Sequence, residues 1–247
     1  MTTLIKIAYR NILENSTVTT TNENASFPKY RLSDRDIGKL FKFSAASNPS
    51  RITIDQGAAT QYPASRLFIP AGHNLNGLTV TLQYSTDNFA ADNHDAVQWA
   101  QAGAGLIDKA FTEQTKRYWR LNIAAPGAPC ELAEMFLTKP YEFPRNPSWG
   151  FGTGNRLNVL RDETLSGKVR LIKNGAPRKE RTYDLTRIQS AQKTEMETWE
   201  SVSEGIRAIY IEDESAAVFF AEVLGAFKFR NEREGRWGLP LQVLEFL

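Results

Sequence analysis

Residues Leu78–Ser85 read LTVTLQYS. Leu78, Val80, Leu82 and Tyr84 share one face of an extended chain, and Thr79, Thr81 and Gln83 share the other. Side chains of a strand alternate between faces, so this stretch reads as a strand buried on one side. The alternation recurs in both directions. Upstream, SRITIDQG (50–57) sets Ile52 and Ile54 on one face. Downstream, RYWRLNIA (117–124) sets Trp119, Leu121 and Ile123 against Arg120 and Asn122. Long polar stretches rich in Asn, Asp, Ser, Gly and Pro separate these strands, and no long helical pattern intervenes. Many short strands with long loops predict a β-sandwich.

The chain changes character at KPYEFPRNPSWGFGTGN (139–155), where prolines give way to glycines with aromatics between them. Proline fixes φ and glycine permits bends, so 143–155 is the expected linker between a first domain over 1–142 and a second over 156–247. The GFGTG stretch (150–154) is a weak match to a phosphate-binding loop, because no clear strand leads into it and no amphipathic helix follows. Beyond it, strand signals return in GKVRLIKNG, ERTYDL, IRAIYIED, AVFFAEVLG, AFKFRN and GRWGLPLQVLEF. One helix is expected over 186–204. Thr186 and Gln189 would form its capping box; Ile188, Ala191, Trp199 and Val202 its apolar face; Gly205 its stop. In the last strand Trp237, Leu239, Leu241 and Val243 share a face. Pro240 cannot donate a ladder hydrogen bond, so its nitrogen should lie at an edge or a bulge.

Composition bounds the function. The chain has 247 residues, 41% hydrophobic and 23% charged, with a formal net charge of +2. That near-neutral balance predicts no strong attraction to nucleic acid. Cys130 is the one cysteine, so neither an intrachain disulfide nor a CxxC metal site can form. No apolar run approaches the ~20 residues that span a bilayer. No signal-peptide pattern is read at the amino terminus, and synthesis in a cytoplasm is expected.

Motifs for catalysis are scarce. His73 and His94 are the two histidines; neither sits in HExxH, and no serine sits in GxSxG. Cys130 enters an apolar strand and reads as a buried thiol rather than half of a Cys–His dyad. ADNHDA (91–96) carries possible metal ligands, but its spacing matches no ligand pattern and a solvated loop is the better reading. No enzyme, no cofactor and no metal are expected.

An ordered set of motifs resembles the discoidin, or F5/8 type C, family of galactose-binding-like jelly rolls. It runs through NILENSTVTTTNEN, YRLSDRDIGKLFKFSA, SRITIDQG, LTVTLQYSTDNF with Ser85 and Asp87, then Trp99, KRYWRLNI and CELAEMFL, covering about residues 10–139. AGHNLNG (71–77) resembles a turn of jelly-roll domains in bacteriophage tail proteins. Asn74, Asn76 and Gly77 suit positive φ, and His73 and Asn74 read as turn-stabilising residues before they read as a sugar-contacting loop. The segment 150–247 resembles the tail-hub β-barrel of phage distal-tail proteins. It shares the strand pair SGKVRLIKNGAPRKERTYDL, the helix, IRAIYIED, and GRWGLPLQVLEF with Trp237 and Glu245. The order here, jelly roll first, departs from the commoner hub-first layout.

The fold class expected is therefore mainly β: an N-terminal jelly-roll β-sandwich, then a tail-hub-like β-barrel or sandwich with one α-helix. The resemblance implies a structural virion protein of a phage tail tip. Copies of itself would form a ring, a hexamer by that likeness, beside tail-tube and tail-tip proteins, with a host surface polysaccharide as possible ligand. A stand-alone carbohydrate-binding module or adhesin is the alternative. The candidate ligand residues are His73, Asn74, Tyr30 and Trp99; exposed Trp149 or Phe151 could also stack on a sugar.

Overall fold

The computed structural model of the chain describes residues 4–147, 152–156, 159–163, 169–173, 176–203 and 209–246. It divides into two units, Arg10–Pro140 and Met1–Tyr9 with Tyr141–Leu247. The first strand, β1 (Lys6–Ala8), therefore belongs to a different unit from the residues that follow it.

The unit Arg10–Pro140 is a jelly-roll β-sandwich. Its strands are β2 (Thr17–Thr20), β3 (Phe41–Lys42), β4 (Ser50–Asp55), β5 (Ala64–Ile69), β6 (Thr79–Ser85), β7 (His94–Ala100), β8 (Ile107–Gln114), β9 (Tyr118–Ile123), β10 (Glu131–Leu132) and β11 (Phe136–Thr138). A five-stranded sheet runs β2-β4-β9-β6-β7 and a three-stranded one β11-β5-β8, with a short β10-β3 pair. All these ladders are antiparallel. The alternation read from the sequence holds across strands: Ile52 lies opposite Leu121, and Leu121 opposite Leu82, all fully buried. Leu67, Ile69, Ile107 and Leu137 of the second sheet complete the same core. Each such side chain contributes roughly 1.5–3 kcal/mol on burial.

One polar group network is buried in this unit. Asn11 donates through Nδ2 to Glu134 Oε1 (3.2 Å) and the Met135 carbonyl (3.0 Å), and accepts from the Leu13 and Leu137 N–H groups through Oδ1. Glu134 Oε2 accepts from the Arg35 N–H at 3.0 Å, and the Arg35 guanidinium pairs with Glu14. Burial, with the charges of Asp34 and Glu14, pushes the Glu134 carboxyl well above its ordinary range.

The second unit adds β12 (Tyr141–Glu142), β13 (Gly152–Arg156), β14 (Val159–Glu163), β15 (Val169–Lys173), β16 (Arg178–Ile188), α1 (Ser190–Ser203), β17 (Ile209–Glu212), β18 (Val218–Val223), β19 (Arg230–Arg233) and β20 (Arg236–Glu245). One sheet runs β12-β1-β17-β18-β20-β16-β13, with β19 on β20 and β14-β15 as a separate hairpin. Among the described residues no ladder joins β12 to β13. Met196, Trp199 and Val202 of α1 pack on the core formed by Ile7, Ile209, Ile211, Leu239 and Leu241.

Three sequence expectations are corrected. The boundary expected at residue 142 falls at Pro140, and the jelly roll is inserted after Tyr9 rather than starting the chain. The expected linker 143–155 is largely structure of the second unit: Phe143 is buried in its core and β13 pairs with β16. Its residues 148–151, with Trp149 and Phe151, lie outside the described residues, as do Glu204 and Gly205. The helix does not start at Thr186, because β16 continues through a bulge to bury Ile188 against the sheet. The cap moves three residues along: Gln192 Oε1 accepts the Gln189 N–H at 2.7 Å, the returning half of a capping box. Ala191 is exposed, and Met196 takes its place on the apolar face. Pro240 lies opposite Asp184. On the other side of β20 it falls between the β19 ladder, which reaches Gly238, and the β18 ladder, which starts at Val243.

Candidate functional site

The turn 71–78 holds its residues by backbone demands. Gly72 and Gly77 have φ of +95° and +79°, while Asn74 and Asn76 do not enter the left-handed region. That corrects the expectation that the two asparagines occupy positive φ. Their side chains are used instead. Asn74 Nδ2 donates to the Pro129 carbonyl (3.0 Å) and its Oδ1 accepts the Glu131 N–H (2.8 Å). Asn76 Oδ1 accepts the Gly103 N–H at 2.7 Å.

His73 is 2% exposed. Its Nδ1 accepts the Leu75 N–H (3.3 Å), which leaves Nε2 to donate to the Gly105 carbonyl (2.9 Å). These two bonds select one neutral tautomer, and burial pushes the imidazole below its ordinary value. A ring with both nitrogens engaged and no exposed edge is a strut. Trp99, at the end of β7, belongs to the jelly-roll core. It is 9% exposed, and its indole donates to Gln101 Oε1 at 3.0 Å, so its face is core rather than sugar platform. Gln101 also ties the loops through the Gly77 N–H and the Leu78 carbonyl. The structure thus gathers His73, Asn74 and Trp99 in one laced scaffold, with Gln101 as the member that the sequence reading missed.

Tyr30 stands apart, on a 3-10 turn over Lys29–Leu32, and is 63% exposed. The turn is fixed from below. The Lys42 N–H bonds to the Phe27 carbonyl and the Phe27 N–H to the Asn24 carbonyl; Ser33 N–H closes on the Tyr30 carbonyl. Arg31 Nη1 donates to the Leu40 carbonyl at 3.0 Å, and its guanidinium lies 5.4 Å from the Phe27 ring centroid. Phe27 is itself exposed. Two exposed aromatics and a guanidinium on one anchored loop form a surface that can stack on the apolar face of a ring and hydrogen-bond its hydroxyls. Phe27 and Arg31 were missed in the sequence; the signal was FPKYR (27–31), with proline fixing the turn.

The remaining polar loops are internally occupied. Asp87 accepts the Ser85 hydroxyl and the N–H groups of Ala90, Ala91 and Asp92, which hold its carboxyl down to about 2. Asp92 accepts both Thr86 donors and faces His94 Nε2 at 2.5 Å. Among the described residues no three His, Cys, Asp or Glu side chains converge as metal ligands do. Cys130 is buried, and burial with the Glu131 charge pushes its thiol up to about 11, far from a reactive thiolate.

No family model and no curated protein matches this chain. Solved structures do. The chitosan-binding module 1 of a chitosanase/glucanase from Paenibacillus sp. IK-5 is 20% identical, at TM-score 0.46, over 53% of this chain and 99% of the module. CBM32-5 from Clostridium perfringens, solved with GalNAc-β-1,3-galactose, is 16% identical at TM-score 0.44, over 53% of this chain and all of that one. A GH29 fucosidase from Ruminococcus gnavus, solved with fucose, is 15% identical at TM-score 0.46, over 54% of this chain and 27% of the enzyme. Each is a likeness in shape over about half the chain and says nothing of what this chain binds.

Proposed function

We propose that this protein binds glycans without cleaving them, through the jelly-roll unit, with Tyr30 as the stacking residue. The observation that carries this reading is the Tyr30 ring, 63% exposed on a turn whose backbone is bonded on both sides. An aromatic held this way brings contact area at little entropic cost on binding. Phe27 widens the apolar surface, and Arg31 supplies donors beside it. Glycan-array binding of the parent chain and of Tyr30→Ala is the test. A glycan bound by the parent, about tenfold weaker in the variant at unchanged melting temperature, and recovered intact, supports the reading. Equal binding by the variant, or a shortened glycan, overturns it.

A second reading says where such binding is used. The jelly roll leaves and rejoins the other unit between β1 and β12, which pair at one edge of its sheet. An insertion of this kind adds a separate module to a scaffold unit. We infer a bacteriophage tail-tip component, its scaffold unit closing into a ring of copies, six by the hub likeness, beside tail-tube and tail-tip proteins. Light scattering of the purified chain tests this: a ring-sized particle supports it, and a monomer at every concentration counts against it.

A further inference from the structure

A cleft of about 360 Å3 opens in the second unit beside the first turn of α1. Arg145, Arg187 and Arg236 line it, and among the described residues no aspartate or glutamate does. Among the described residues none of the three guanidinium groups has an ion-pair or hydrogen-bond partner. One carboxylate stands next to this segment: Glu232 Oε2 accepts the Arg187 N–H at 3.0 Å, while its Oε1 lies 3.7 Å from Arg230.

Solvated arginines are common, but two features set these apart. Three like charges share one concavity against the single neighbouring carboxylate of Glu232, which leaves an excess of positive potential there. Arg187 also sits at φ 56°, in the bulge between Leu185 and Ile188. A left-handed arginine is strained, and bulges re-aim side chains beside functional sites.

The rest of the lining narrows the ligand. Phe143, Leu185 and Ile188 are each only 4% exposed and offer little apolar surface, while the exposed Gln189 also lines the cleft. A bare phosphate would leave most of that volume unfilled. A sugar acid matches each part: its carboxylate takes guanidinium forks, its ring fills the remaining volume, and its hydroxyls meet the Gln189 amide. We propose that this cleft binds an acidic sugar residue, its carboxylate held by Arg145, Arg187 and Arg236. The proposal concerns a site distinct from the Tyr30 surface and does not rest on it.

Calorimetric titration of the full chain with D-glucuronate, D-glucose and inorganic phosphate is the test. We expect saturable glucuronate binding, at least about tenfold tighter than glucose or phosphate. It should weaken as salt rises from about 0.05 to about 0.5 M. Arg145→Gln and Arg236→Gln should each weaken it about fivefold or more, at unchanged melting temperature. Tyr30→Ala should leave it unaltered, so that this site and the jelly-roll surface stand or fall separately. Glucose binding as tightly as glucuronate, phosphate matching glucuronate, or both arginine variants binding like the parent would each overturn the proposal.

Discussion

Ile7 lies opposite Tyr141 in an antiparallel ladder, one strand on each side of the inserted jelly roll. Of the two points where the chain passes between units, the one after Tyr9 follows β1 and the one after Pro140 precedes β12, and these two strands pair. Joining Tyr9 to Tyr141 asks only for a short connection, and few-residue links between antiparallel strands are the commonest kind. We expect a chain with residues 10–140 replaced by a short Gly/Ser linker to fold, and 10–140 alone to fold as well. Dispersed amide NMR spectra for both pieces would bear this out; a second unit that collapses without the insert would refute it.

That topology was hidden in the sequence for a physical reason. β1 is three residues long, and the alternation of Ile5 and Ile7 says that one face is buried without saying against which sheet. Ladder partners distant in sequence leave no local mark. The strands of the jelly roll were legible because Ile52, Leu82 and Leu121 each sit in a clean two-residue period. The helix start was misplaced because Thr186–Gln189 matches a capping pattern, while the burial of Ile188 in the sheet outweighs that local preference. The candidate site residues differ in exposure, which the sequence does not show. Tyr30 and Trp99 are equally plausible stacking residues in sequence, and only the fold exposes one and buries the other.

The indole of Trp199 anchors α1 to its sheet. It is 2% exposed and meets the Phe227 ring edge-on at a centroid distance of 4.6 Å. Trp237 is only partly buried at the rim of the same core. Trp199→Ala should cost about 3–5 kcal/mol, and Trp237→Ala roughly half of that. Urea denaturation of the two variants checks the ranking, and a larger loss for Trp237 would contradict the packing described.

Glu134 predicts a slope with pH. Its folded-state pKa lies above the unfolded one, so its contribution is complete below about 4.3 and is lost as pH rises through the folded value. The jelly-roll melting temperature should carry that downward component. Glu134→Gln should remove it, while lowering stability by about 1–3 kcal/mol at pH below about 4.3, because an amide N–H2 then faces one of the two donors, Asn11 Nδ2 or Arg35 N–H, and the gap to the parent should narrow as pH rises. Thermal melts of both chains against pH read the difference, and an identical slope in the variant would show that Glu134 is ionised throughout.

His73 predicts the opposite slope. Burial lowers its pKa, so the folded state disfavours the charged ring. Its contribution is present above about 6.5 and is lost as pH falls below that value. Protonation would also put a donor at Nδ1 against the Leu75 N–H. His73→Gln should abolish this acid loss while costing about 1–3 kcal/mol at neutral pH, since one amide cannot serve both the Leu75 N–H and the Gly105 carbonyl at ring spacing. Asn74→Val should be destabilised too, through the lost bonds to Pro129 and Glu131 rather than through backbone strain. Glycan binding by the folded fraction of either variant should match the parent, in contrast to Tyr30→Ala. A His73→Gln chain with an unchanged melting curve and no glycan binding would move the ligand site to this turn.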